Sequence, residues 1–221
     1  MISFEGVEKS YRMHNGRRVV LRDATFVLPP DRNVGILGIN GAGKSTLLRL
    51  IAGTELPNLG HVRRGGLRVS FPIGFAGTFH GELSARANAR FLARVYGLPI
   101  DETVEWIAEF SELADYFDMP VRTFSSGMFA RLAFSTSLAF DFDLYLVDEA
   151  TEVGDARFRQ KCAAALRERL AHARVVVVSH NSATIRSYCD AGAVLHDGKF
   201  TLYDTVDDAM VAYEGILRRA A

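Results

Sequence analysis

Net charge is missing: the 221 residues carry 26 Lys and Arg against 26 Asp and Glu. No overall positive field draws the molecule onto nucleic acid, so a general DNA or RNA binder is disfavoured. Cysteine is scarce. Cys162 and Cys189 are too few for a disulfide framework and lack metal-ligand spacing, so both read as reduced, packed thiols. Long apolar runs are absent as well: stretches such as Val34 to Ile39, glycines included, reach about six residues against the roughly 20 that cross a bilayer. Met1 to Gly6 shows no basic region followed by an apolar core, which argues against a secretory signal. The expected place is the cytoplasm, or the cytoplasmic face of a membrane. No period of roughly 20 to 50 residues repeats, and no low-complexity tract interrupts the chain. What is present is an ordinary globular composition, 48% apolar and 24% charged, long enough for one domain with a sizeable insertion.

Ile2 to Val7 alternates apolar and polar, His14-Asn15-Gly16 is a turn, and Val19 to Leu28 resumes a strand-like pattern. That predicts antiparallel β-structure at the N-terminus. Val34 to Leu37 is a short apolar run that ends in glycines, and from Lys44 the residues Leu47, Leu48, Leu50 and Ile51 recur at helical spacing. Helical periodicity then dominates near Ala85 to Tyr96, Glu102 to Phe110 and Met128 to Ala139. Leu144 to Val147 and Val175 to Val178 read as buried parallel strands joined by a helix around Phe158 to Leu170. A hairpin from Ala193 to Tyr203 and a helix from Val206 to Leu217 close the chain. The expectation is an α/β fold: a core subdomain over 1–80 and 141–221, with an antiparallel β subdomain at its N-terminus, and a helical subdomain over 81–140 inserted into it.

Gly38-Ile39-Asn40-Gly41-Ala42-Gly43-Lys44-Ser45-Thr46 matches the phosphate-loop pattern G-x-x-x-x-G-K-[ST], and it lies between a predicted strand and a predicted helix as that motif requires. The glycines let the backbone turn its N–H groups inward, and the helix N-terminus adds partial positive charge. Lys44 is expected to reach the β- and γ-phosphate oxygens, Ser45 to ligate Mg²⁺, and Thr46 to bond the α-phosphate. Leu144 to Val147 ends in Asp148-Glu149, which puts Asp148 at the carboxyl edge of the sheet beside that loop. Asp148 is expected to hold Mg²⁺, and Glu149 to orient and deprotonate the attacking water. ATP and Mg²⁺ are the cofactors this pattern calls for.

Phe124-Ser125-Ser126-Gly127-Met128 begins a helix ahead of the acidic pair, and His180 follows the Val175 to Ser179 run. With Lys44 before them and Asp148-Glu149 between, the set resembles the ATP-binding subunits of ABC transporters over essentially the whole chain. The resemblance implies a P-loop nucleotide-binding domain of the ABC type, in which two copies sandwich two ATP molecules head to tail. Ser125, Ser126 and Gly127 of one copy would close on the γ-phosphate bound by the other, and His180 would contact that γ-phosphate. Gly154-Asp155 resembles the loop that couples the two sites, and Tyr11 resembles the aromatic residue that stacks on adenine.

Two departures stand out. Ser126 and Met128 replace the first glycine and the glutamine of the usual Leu-Ser-Gly-Gly-Gln, and the glutamine expected between phosphate loop and helical insertion is absent, since the one Gln is Gln160. His80 stands near that region and is a candidate substitute. The Ser-Ser-Gly-Met pattern, with Phe71-Pro72-Ile73-Gly74, Val153 to Phe158 and Ser187-Tyr188-Cys189-Asp190, is similar to bacterial ATPases that export capsular polysaccharide. That resemblance implies separate polytopic permease subunits that contact the glycan, and a position on the inner face of the bacterial inner membrane. The alternatives are an O-antigen or teichoic acid exporter and, more remotely, a soluble ABC ATPase acting on DNA or the ribosome. The latter usually has two fused halves or a coiled-coil insertion, where this chain has one set of motifs and no sustained heptads.

Overall fold

Four consecutive valines, Val175 to Val178, have branched side chains that pack well on a pleated surface, and a run with no polar face belongs in a strand covered on both sides. In the computed structural model of the chain, which describes residues 1–14, 16–73, 79–148, 155–179 and 182–220, they form such a strand. The described strands are β1 (Ser3–Met13), β2 (Gly16–Val27), β3 (Val34–Leu37), β4 (Leu59–Arg63), β5 (Val69–Ile73), β6 (Leu144–Asp148), β7 (Arg174–Val178), β8 (Ala191–His196) and β9 (Lys199–Tyr203). The described α-helices are α1 (Lys44–Ala52), α2 (Ala85–Val95), α3 (Ile100–Ser111), α4 (Ser126–Ala139), α5 (Ala156–Leu170), α6 (Ser182–Tyr188) and α7 (Val206–Ala220). Among the described residues no helix is long and apolar enough to cross a membrane.

The strands make two sheets. One has three antiparallel strands in the order β2-β1-β4, and the other has six in the order β5-β6-β7-β3-β8-β9. In the larger sheet β6, β7, β3 and β8 run parallel, and β9 returns antiparallel from β8. The register aligns two strand ends, because Ile36 on β3 and Asp148 on β6 both pair with Val178 on β7. The carboxyl ends of these strands therefore finish in one row, and two strand spacings of about 4.8 Å separate its outer members. Leu47, Leu48, Leu50 and Ile51 of α1 are fully buried in an apolar cluster with Ile36, Leu146 and Leu195 of this sheet and Phe4, Val7 and Leu21 of the other. Burying each such side chain contributes about 1.5–3 kcal/mol, so α1 is held firmly beside the row.

Two compact units divide the chain. One holds the described residues of Met1–Pro72, Asp143–Glu149 and Arg174–Ala221, and the other those of Ile73–Phe142 and Ala150–Ala173. The first contains both sheets. In the second, α4 is buried on most of its circumference, including Ala130, Leu132, Ala133, Phe134 and Leu138. The division groups α5 with the helices, whereas a boundary at 81–140 leaves that segment with the sheets.

Three elements have no counterpart in the sequence pattern. β5 contains Pro72, which lacks a ladder donor, and it is tolerated because β5 is an outer strand of its sheet. β4 is largely exposed, and Gly60 within it leaves no room for a Cβ against the backbone of Glu5 and Gly6. α6 has seven residues, about two turns, too few to establish a period. Cys162 and Cys189 are free and buried, and burial pushes both thiols up to about 12, so neither ionises near neutral pH.

Candidate functional site: a phosphate cleft on the sheet edge

The glycine loop begins where β3 ends. A Cβ on Gly38 would lie 2.6 Å from the Leu195 carbonyl oxygen of β8, so backbone itself excludes a side chain there. Gly43 is held at φ +104°, and a Cβ on it would come within 2.3 Å of Val20 Cγ1. Only glycine satisfies both the left-handed conformation and the close approach. Gly43 is also the N-cap of α1, and no side chain caps that helix. Its first-turn N–H groups are left for a ligand, and the helix dipole favours an anionic one.

Lys44 is buried inside the loop, where its ammonium donates to the Gly38 carbonyl at 2.7 Å and the Ile39 carbonyl at 3.2 Å. The loop and the end of β6 enclose a cleft of about 540 Å³ lined by Tyr11, Arg18, Val20, Asn40, Gly41, Gly43, Lys44, Ser45, Thr46, Arg49 and Asp148. Of the residues expected to bind nucleotide or metal, the structure brings Tyr11, Asn40, Gly41, Gly43, Lys44, Ser45, Thr46 and Asp148 to this one cleft, and Gly38 begins the loop behind it. Ile39 and Ala42 supply backbone instead: the Ala42 N–H donates to the Ile39 carbonyl at 3.0 Å.

Arg18, Val20 and Arg49 belong to none of the sequence motifs. Arg18 is the cross-strand partner of Tyr11 on the β1–β2 hairpin, and its guanidinium donates to the Gly41 carbonyl. Arg49 lies three residues beyond Thr46, on the same face of α1, and donates to Thr46 Oγ1 at 3.2 Å. The helical period contained the Arg49–Thr46 signal, and the hairpin turn the Arg18–Tyr11 pairing.

The second unit carries the hydroxyl motif. Ser125 is the N-cap of α4 and accepts from the Met128 N–H at 3.3 Å, while Ser125 and Ser126 are solvent-exposed. No acidic residue lies in the first turn of α4. Arg131, further along α4, donates to Glu112 at 3.1 Å, pairs with Asp155, and sits 4.4 Å from the centroid of the Phe158 ring. Asp155 caps α5 through the Phe158 N–H at 2.9 Å. That N–H and the Arg131 guanidinium hold the exposed Asp155 carboxyl below its usual range. The helix of the hydroxyl motif and the cap of α5 are thus joined by one arginine. His80 is exposed, and its backbone is pinned by Asn88, which accepts from the His80 N–H at 2.8 Å and donates to its carbonyl at 3.1 Å. Glu149, Gly154 and His180 lie outside the described residues.

Comparison with known proteins fits this geometry. The ABC transporter family model matches residues 21–152. Over 217 residues the chain is 42% identical to the polysialic acid transport ATP-binding protein KpsT of Escherichia coli, covering 97% of this chain and 99% of that one. Over 216 residues it is 44% identical to the capsule polysaccharide export ATP-binding protein CtrD of Neisseria meningitidis serogroup B, covering 98% and 100%. Its fold is similar to the post-hydrolysis dimer of the ATP-binding cassette MJ0796 bound to ADP and Pi, with a TM-score of 0.75 at 21% identity over 92% of this chain and 98% of that one.

Proposed function

The chain belongs to the ABC transporter family, and from that premise we propose that it is the ATP-binding and ATP-hydrolysing subunit of an exporter of capsular polysaccharide. The observation that carries the nucleotide half is the uncapped, glycine-started helix α1 with Lys44 folded into its loop. The polysaccharide half is supported by relatives named for polysialic acid transport and capsule polysaccharide export, which match the chain along nearly all of its length.

In this reading the loop N–H groups and Lys44 hold the β- and γ-phosphates, and Tyr11 offers its ring to adenine. Ser45 and Asp148 present a hydroxyl and a carboxylate to the same cleft, hard oxygen donors of the kind Mg²⁺ takes. Phosphate oxygens and water would complete the shell of such an ion, which keeps several waters and binds through few protein ligands. Held by Ser45 and Asp148, such an ion would supply positive charge against the transferred phosphoryl oxygens. Glu149 orients the attacking water and takes its proton as the new P–O bond forms and the bond to the ADP oxygen breaks. His180 contacts the γ-phosphate.

Two copies pair head to tail on binding ATP, so that Ser125, Ser126 and Gly127 of one face the γ-phosphate of the other, and Asp155 couples the two sites. Closure is passed to polytopic permease subunits that conduct the glycan, on the inner face of the inner membrane. The ATPase itself touches neither glycan nor nucleic acid.

The experiment is to delete the gene in its source bacterium and complement with wild type or Glu149→Gln. Polymer should vanish from the surface, accumulate inside, and return to the surface only with wild type. Purified Glu149→Gln should bind ATP normally and hydrolyse it at least about a hundredfold more slowly. Unchanged surface glycan in the deletion strain would defeat the export assignment, and near-normal turnover would defeat the role of Glu149.

A further inference from the structure

Three separate segments converge on one carboxylate beside the cleft. Lys9 and Tyr11 are two residues apart on β1, so their side chains leave the same face. Thr46 and Arg49 share a face of α1. Glu55 follows Gly53, the left-handed residue that ends α1. Its Oε1 pairs with Lys9 Nζ at 2.8 Å and accepts from the Tyr11 hydroxyl, and its Oε2 accepts from Arg49 Nε at 2.8 Å. The same hydroxyl lies 3.2 Å from Thr46 Oγ1 and accepts from Arg49 Nη2 at 3.2 Å. Lys9, itself buried, sits 5.2 Å from the Tyr11 ring centroid. Burial pushes the Glu55 carboxyl up, but the hydrogen bonds from Lys9, Tyr11 and Arg49 outweigh it and hold the group at about 2. It is a carboxylate at every physiological pH.

We infer that Glu55 is a positioning residue for the base of the nucleotide: by fixing the hydroxyl end of Tyr11 it holds the ring ready, and so sets how much the base adds to ATP affinity. The inference rests on the nucleotide reading above and on Tyr11 as the adenine platform. A ring anchored before the ligand arrives loses less freedom on binding than one that must be ordered then. Releasing it should weaken ATP binding by about three- to tenfold, the cost of immobilising one side chain. A ligand without a base should not register the change.

The test measures ATP affinity by calorimetry, and inorganic triphosphate affinity by competition, on the full chain. The variants are Glu55→Gln, Tyr11→Phe, Tyr11→Ala and the double variant Tyr11→Ala/Glu55→Gln. Glu55→Gln and Tyr11→Phe should each weaken ATP about three- to tenfold and leave triphosphate within about twofold, and Glu55→Gln should add nothing on the Tyr11→Ala background. Equal losses for ATP and triphosphate, additivity in the double variant, or no change in ATP affinity would each overturn the inference while leaving nucleotide binding intact. Wild type that binds neither ligand would overturn the nucleotide reading and the inference with it. If Glu55→Gln does not fold, Tyr11→Phe decides the matter, because it removes only the hydroxyl and keeps the ion pairs of Glu55 with Lys9 and Arg49.

Discussion

Single residues at the cleft answer to different forces. Lys44 and Gly43 are fixed by what a phosphate needs and by the left-handed turn, and each is readable from the local pattern Gly38 to Ser45. Glu55 is not, since its partners lie on β1 and α1. Its ionisation makes a pH prediction. The carboxyl sits at about 2 in the folded chain against an ordinary 4.5, so its stabilisation is complete above about pH 4.5 and is lost as pH falls toward 2. In urea denaturation the advantage of wild type over Glu55→Gln should be constant from about pH 7 to 5 and shrink steadily below about pH 4.5. A difference independent of pH would mean that the charge of Glu55 contributes nothing to stability.

Secondary-structure elements carry two duties at their ends. The start of α1 is left uncapped, which suits a phosphate; the start of α4 is capped by Ser125, the residue also expected to face a partner's γ-phosphate. The duties can be separated, because Asp caps a helix about as well as Ser, whereas Ala costs about 1 kcal/mol. Ser125→Asp should melt within a degree or two of wild type, Ser125→Ala several degrees lower. Both should lose most ATP hydrolysis, the Asp variant because it sets a negative charge against the phosphate. Full activity in Ser125→Asp would confine Ser125 to capping. Most elements were legible: β2, β3, β6, β7, α1 to α5, α7 and the closing hairpin stand within a few residues of their expected places, whereas β1 runs on to Met13 beyond the expected end at Val7. β4, β5 and α6 were not, because exposure, a proline and shortness each erase the pattern that a buried strand or long helix leaves.

For the whole molecule, the hydroxyls of Ser125 and Ser126 stand exposed on a unit other than the one that holds the phosphate cleft. A head-to-tail dimer gives those hydroxyls a nucleotide to contact. In light scattering, Glu149→Gln should be monomeric alone or with ADP and dimeric with ATP, since in the proposed pairing the γ-phosphate is the group shared between copies. A variant that stays monomeric at saturating ATP would remove the shared-site mechanism, though not nucleotide binding. Arg131→Met should weaken the coupling of the two sites without abolishing binding in either, because it parts α4 from Asp155 while keeping an unbranched side chain. That is measured as a fall in the Hill coefficient for ATP hydrolysis.

By itself the sequence determined the phosphate loop, the acidic strand end, the order of the motifs and the family. Each motif depends on residues contiguous in the chain, where local backbone geometry dictates the chemistry, and the family follows from their order. Only the tertiary structure decided that Arg18 reaches Gly41, that Arg49 bonds Tyr11, and that Glu55 gathers Lys9 and Tyr11. Strand register and helix packing bring these groups together across dozens of residues, and pairing at that distance leaves no periodic trace in a single chain.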